Sequence, residues 1–234
     1  MTPSLKKRFW KDVTITQSDA GFGIQLDQHH LRTPEKAMFI VPTQALAEMV
    51  RDEWDAPEGK VDLSVMHATR ITNATIDTIT VNTQTVVDGI GEYGGTDLLC
   101  YRADSPEALV QRQAAAWDPI LAWAAKELNA PLNVTTGVMY VAQPDQSVAQ
   151  LKSKLQDMNP FQIAAMHDLV AISGSLVLAL ALVANHLTLE QAFAASRVDE
   201  HWQKEQWGAD EDAEIKEAAK AKEFEFALKF YRAS

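Results

Sequence analysis

The most hydrophobic run of the chain, Leu169 to Ala184, constrains everything around it. At helical spacing it is apolar nearly all the way round, and a helix of that kind must be enclosed by neighbouring helices. Ser173, Gly174 and Ser175 interrupt it, and it is shorter than the roughly 18 to 20 apolar residues of a membrane span. The run is expected to be a buried core helix. It opens at Asn159-Pro160-Phe161-Gln162, a cap followed by proline and a third-position glutamine, and ends near His186. The Ser-Gly-Ser step then serves packing, its small residues letting another helix come close.

A chain of 234 residues, 47% hydrophobic and 23% charged, can bury roughly 70 to 75% of its unfolded surface without a covalent staple. Disordered, collagen-like and disulfide-scaffold folds are excluded. A formal charge of -11 opposes nucleic acid, because duplex binding draws on Lys and Arg contacts to phosphate. The single Cys100 forms no internal disulfide, which suits a reducing compartment. After Lys6, Lys7 and Arg8 the segment alternates polar residues with Val13 and Ile15, unlike a cleaved leader.

The patterning predicts an α+β fold. Residues 1–60 form a small N-terminal β-rich domain with a packed helix, and residues 61–234 a larger, mainly α-helical domain. Val13 and Ile15, a turn at Ser18 to Gly21, then Phe22, Ile24 and Leu26 predict two antiparallel strands, with shorter strands near Leu31 and Met38 to Val41. A sheet this small needs a helix on it, which Leu46, Met49, Val50 and Trp54 supply. Beyond Pro57-Glu58-Gly59, Ser105 caps a helix beginning at Pro106, with Leu109, Gln113, Ala116, Trp117, Ile120 and Ala124 inside and a kink or division at Pro119. Thr188-Leu189-Glu190-Gln191 opens a helix that Gly208 stops, and Asp210 caps the last helix, whose apolar side shows Ile215, Ala219, Phe226 and Phe230. Asp97 to Arg102 and Leu132 to Val141 are β-prone, with no partner specified by the sequence.

Few groupings carry chemistry. Gly89-Ile90-Gly91-Glu92-Tyr93-Gly94 matches the dinucleotide fingerprint in letters, but a polar segment precedes it and a strand-favouring one follows. It is expected to be a flexible or tightly turned connector. A small nucleotide-binding or hydrolytic enzyme using this loop is the alternative reading of the chain. No Cys/His ligand spacing occurs. His201 and Glu205, one helical turn apart, are expected to be an exposed pair rather than a shared cation site, His29 and His30 to be solvated in a turn, and His167 beside Asp168 to be a core histidine. No Gly-x-Ser-x-Gly elbow is present, and Cys100 reads as a small core hydrophobe. Steps of three and four from Leu189 reach Phe193, Ser196, Glu200, Gln203 and Trp207, placing a carboxylate on a stripe that begins apolar. Glu200 either emerges into solvent beside Arg197 or Lys204, or waits between Trp202 and Trp207 for a donor on another protein.

The ordered set Lys7-Arg8-Phe9-Trp10-Lys11, Leu31-Arg32-Thr33-Pro34, Val41-Pro42-Thr43, Glu53-Trp54-Asp55, Asn73-Ala74-Thr75-Ile76-Asp77, Trp117-Asp118-Pro119 and Ser196-Arg197-Val198-Asp199-Glu200 resembles one family. These are the assembly chaperones acting on the alpha subunit of the F-type ATP synthase catalytic sector in mitochondria and alpha-proteobacteria. The resemblance runs from about Lys7 to the last helix. It implies a non-enzymatic chaperone without cofactor, metal or small-molecule substrate and without membrane insertion. Such a protein binds the unassembled alpha subunit, covers a surface the beta subunit later occupies, and is displaced. The family's acidic position falls on Glu200, with Gln203 and Trp207 in the same pattern, so these are the partner-binding residues the resemblance implies. Trp54 falls on a packing position. Gln28-His29-His30 departs from the glycine-containing turn common in relatives, and Tyr140 stands where proline is common. The lack of a leader-like segment points to bacterial cytoplasm, with the mitochondrial matrix, as a processed form, the alternative.

Overall fold

The computed structural model describes residues 6–208 and 210–234, which gather into two compact units. The first takes the chain up to residue 83 together with 159–165 and 229–234, and the second holds 84–158 and 166–228.

In the first unit β1 (Lys6–Lys7) leads to a hairpin of β2 (Val13–Ser18) and β3 (Gly21–Leu26), paired from Val13 opposite Leu26 to Ser18 opposite Gly21. Alternation puts Ile24 and Leu26 in the core. The other edge of β3 takes β4 (His29–His30) and β5 (Ile40–Val41). Gly21 has φ +129°, and a Cβ there would lie 2.4 Å from the Val41 carbonyl, so only glycine fits the bend. The turn before β4 has no glycine. Asp27 adopts φ +55° there, and its carboxylate accepts the Lys11 and Asp12 N–H groups at 3.0 and 2.9 Å, which hold its pKa below the ordinary carboxylate value. His29 and His30 are exposed, in a short strand rather than a turn.

The sheet is covered by α1 (Gln44–Asp55), capped by Thr43 and burying Leu46, Ala47 and Val50. The following β6 (Lys60–Val61) pairs with β1. Next come α2 (His67–Ala74) and a π-helical turn at Thr75–Ile79. The recognisable motifs act here as joints. Glu53 accepts the first N–H groups of α2, from Ala68 and Thr69, at 2.7 and 2.8 Å. Trp54 packs against Trp10 with ring centroids 5.1 Å apart and donates to Thr69. Arg8 spans the carbonyls of Trp10, Lys11, Asp55 and Pro57, and Asp77 accepts from the Thr33 hydroxyl at 2.6 Å.

The α+β class predicted by the patterning is present, with a helical second unit whose details differ at several points. The Gly89–Gly94 segment is no connector: α3 (Thr83–Glu92) and a 3-10 turn (Tyr93–Gly95) run through it. Val87, Ile90 and Gly91 are buried in it. The absent side chain of Gly91 admits the aliphatic stem of Lys152, whose ammonium pairs with Asp88 at 2.5 Å. Leu98 to Cys100 form a 3-10 turn, and only Tyr101–Arg102 becomes a strand, β7. The next helix, α4 (Glu107–Glu127), starts one residue later than expected, with Pro106 at the cap position, and continues undivided through Pro119. The second β-prone piece supplies β8 (Thr135–Thr136), which pairs in parallel with β7 rather than joining the first sheet.

After α5 (Asp145–Gln156) comes the apolar run, in two helices rather than one: α6 (Pro160–Ser173) and α7 (Leu176–Val183). The Asn159 carboxamide caps α6, accepting from Phe161 and Gln162 at 2.9 and 3.0 Å, and the Gln162 side chain accepts from the Asn159 N–H at 3.1 Å. Ser173-Gly174-Ser175 breaks the run, and the neighbour it admits is no helix but Leu98 of the 3-10 turn, whose N–H donates to the Gly174 carbonyl at 3.1 Å. Gly174 takes φ +72°, and Ser175 caps α7, in which residues 176–182 are all buried. His167 is exposed on α6 beside Asp168, not in the core. Among the described residues, no helix is long and apolar enough to cross a membrane.

Candidate chaperone interface

The expected helix from Thr188 to Gly208 is also two helices, α8 (Leu189–Ala195) and α9 (Val198–Trp207). The capping box of Thr188 and Gln191 is formed, and Gly208 at φ +94° ends α9. Between them the Ser-Arg-Val-Asp-Glu motif makes a corner. The Ser196 hydroxyl donates back to the Phe193 carbonyl at 2.7 Å, and Arg197 leaves helical geometry at φ -123°. Its side chain, only 10% exposed, lies over the Phe193 ring and donates to the Ile172 carbonyl and to Glu200 Oε1, the latter at 2.7 Å.

On one flank, α4 fixes the end of α8 and α9. The Trp117 indole donates to the Ala195 carbonyl at 2.7 Å, and buried Gln113 donates to Asp199 at 2.6 Å. Arg112 makes two hydrogen bonds of 2.8 Å to Glu205 and lies over the Trp202 ring. The Arg112 guanidinium holds the Glu205 carboxyl below its usual range. On the other flank, α10 (Glu211–Ala233) supplies Glu217 to His201 at 2.7 Å and Glu214 to Lys204 at 2.5 Å. His201 and Glu205 thus pair with different partners rather than with each other. Among the described residues, no group of three or more His, Cys, Asp or Glu is placed to hold a metal.

Glu200, Gln203 and Trp207 are exposed on α9, as Gln206 is, the tryptophan at 79%. Three concavities of about 390, 470 and 650 Å³ meet along this face. Glu200 lines the first two, Trp207 the first and third, and Gln203 all three. The stripe therefore does not run on from α8 as one helical surface, because the corner at Arg197 resets the phase. Glu200, Gln203 and Trp207 nevertheless stay together on α9. Glu200 is half-exposed and paired with Arg197, while Trp202 has turned toward Arg112. The face combines a carboxylate, a carboxamide and an uncovered indole, a composition suited to protein recognition.

Sequence reasoning missed the exposed start of α10. Asp210 does cap it, accepting the Asp212 N–H at 3.0 Å, but residues 211–216 and 218–220 are exposed, including Ile215 and Ala219. The buried positions are Phe224, Ala227, Leu228 and Phe230, with Phe226 half-buried. The alternation of acidic and basic residues before Phe224 was the available signal for a solvated stretch.

The chain is 41% identical to Atp12 from Paracoccus denitrificans, whose crystal structure superposes with a TM-score of 0.93 over 97% of each chain. It is 43% identical to the Atu1473 protein of Agrobacterium tumefaciens, with a TM-score of 0.94 over 98% of this chain and 86% of that one. Protein atp12, mitochondrial, of Schizosaccharomyces pombe is 25% identical over 88% of this chain and 75% of its own length. The ATP12 chaperone protein family matches residues 7–125. The chain therefore belongs to the ATP12 chaperone family, the ATP synthase assembly chaperones that its seven motifs resemble, and is a chaperone rather than an enzyme.

Proposed function

We propose that the protein holds the unassembled alpha subunit of the F-type ATP synthase catalytic sector through Glu200, Gln203 and Trp207, shields the surface later taken by the beta subunit, and leaves during assembly. The observation that carries this reading is the joint exposure of those three side chains on a helix clamped from both flanks, in a chain of this family. A subunit built for a ring exposes apolar contact surface until its neighbours arrive, and such surface aggregates. A carrier that must be displaced gains from a moderate, partly polar face. Higher identity to the two bacterial chains than to the mitochondrial one supports bacterial cytoplasm as the place of action.

The test is co-expression with the alpha subunit followed by purification. A soluble complex is expected, and an alpha subunit left insoluble with no complex sinks the reading. Glu200→Lys is expected to lower recovery of the complex while the chaperone still melts cooperatively. Glu200→Gln, which keeps an acceptor for Arg197, separates loss of charge from loss of the corner. A melt that collapses in both variants would return Glu200 to a structural role.

A further inference from the structure

Val138, Met139 and Tyr140 follow β8 as three consecutive apolar side chains at 94%, 76% and 69% exposure. The Gly137 N–H donates to the Arg102 carbonyl at 2.8 Å, and there the pairing stops. Among the described residues, no backbone hydrogen bond engages residues 138–140. Three bare apolar residues in sequence are a liability in a free protein unless something covers them. Val138, the first of the three, lines a concavity of about 650 Å³ together with Tyr101, Leu109, Trp202 and Trp207, and Met139 and Tyr140 continue the chain from its rim. That concavity shares Gln203 and Trp207 with the α9 face. Its charge is one-sided. Arg102 is neutralised by Asp118 at 2.8 Å, which leaves Asp104 and Asp199 on the wall.

We propose that Val138, Met139 and Tyr140 form an apolar clamp that closes the α9 face over a client segment whose apolar side chains enter this concavity and which carries a basic residue beside Asp104. The proposal rests on the reading that the α9 face binds the alpha subunit, and it extends the contact to a second element. A mixed surface results: the carboxylate and carboxamide of α9 set orientation, while the clamp and Trp207 supply the apolar area.

The experiment uses the full chain co-expressed with the alpha subunit. A Val138→Ser, Met139→Ser, Tyr140→Ser triple variant is expected to lower recovery of the complex by about tenfold or more. Val81→Ser, a control at a 72% exposed valine of the other unit, is expected to leave recovery unchanged. Asp104→Lys is expected to lower recovery by about threefold. A second readout is an environment-sensitive dye on Met139→Cys. Labelling is selective, because burial pushes the Cys100 thiol up to about 12 and keeps it from reagent. Its emission is expected to shift to the blue in the complex. Unchanged recovery of the triple variant with an unshifted dye overturns the clamp while leaving the α9 reading intact, whereas a wild-type protein that recovers no alpha subunit removes both. A dye shift in the chaperone alone that grows with its own concentration would mean a second copy occupies the patch, and would also overturn the proposal.

Discussion

Asp97 is the residue that carries most structural duty for its size. It is fully buried, yet its two oxygens accept the Leu99 N–H at 3.1 Å and the Val177 N–H at 3.0 Å, tying a 3-10 turn to the start of α7. Burial outweighs those donors and pushes its pKa up to about 6 from 3.8. The folded state therefore holds this proton more tightly than the unfolded chain does. The resulting stabilisation is complete below about pH 4 and is lost as pH rises through about 6. Denaturant titrations of wild type and Asp97→Asn are expected to show the wild-type advantage shrinking across that window. The difference between the two proteins is expected to be largest near pH 4 and to level off above about pH 7, where the carboxylate is ionised in both folded and unfolded states. Glu200 was legible from its spacing and from the motif that holds it. Asp97 was not, because the strand-like letters Leu98 to Tyr101 hide a cap whose second partner lies far along the chain.

At the scale of elements, what could be read depended on whether the decisive contacts were local. The hairpin at 13–26, the capping boxes at Asn159 and Thr188 and the stop at Gly208 rest on near neighbours and agree with the pattern. The helix through Gly89 is held by burial of Val87, Ile90 and Gly91, which outweighs its poor propensity, and the split at Gly174 depends on its left-handed backbone. Gly89→Ala has open space for its methyl and a helical backbone, so thermal melts are expected to show a gain of about 0.4–1 kcal/mol. Gly174→Ala meets Leu98 only at ordinary contact distance, but the φ of +72° should cost about 1–2 kcal/mol. A neutral result there would mean that the corner tolerates a side chain and that Ser175 alone breaks the run.

For the whole molecule, composition excluded classes and pattern gave the α+β class, while the tie between distant segments was hidden. Thr43 donates its hydroxyl to the Ala233 carbonyl, and the Asn159 side chain donates to Ser234 at 3.1 Å. Phe230 is wholly buried. Phe230→Ala is expected to cost about 3–5 kcal/mol, read from the shift of the unfolding midpoint. A nucleotide screen by thermal shift is expected to give no saturable stabilisation, since the glycine segment is helical and its amides are committed. Because the first unit is completed by residues 229–234, a nascent chain still in the ribosome cannot finish the part it made first. The first unit therefore closes only after the final helix has left the ribosome, which couples the earliest-made strands to the last-made residues.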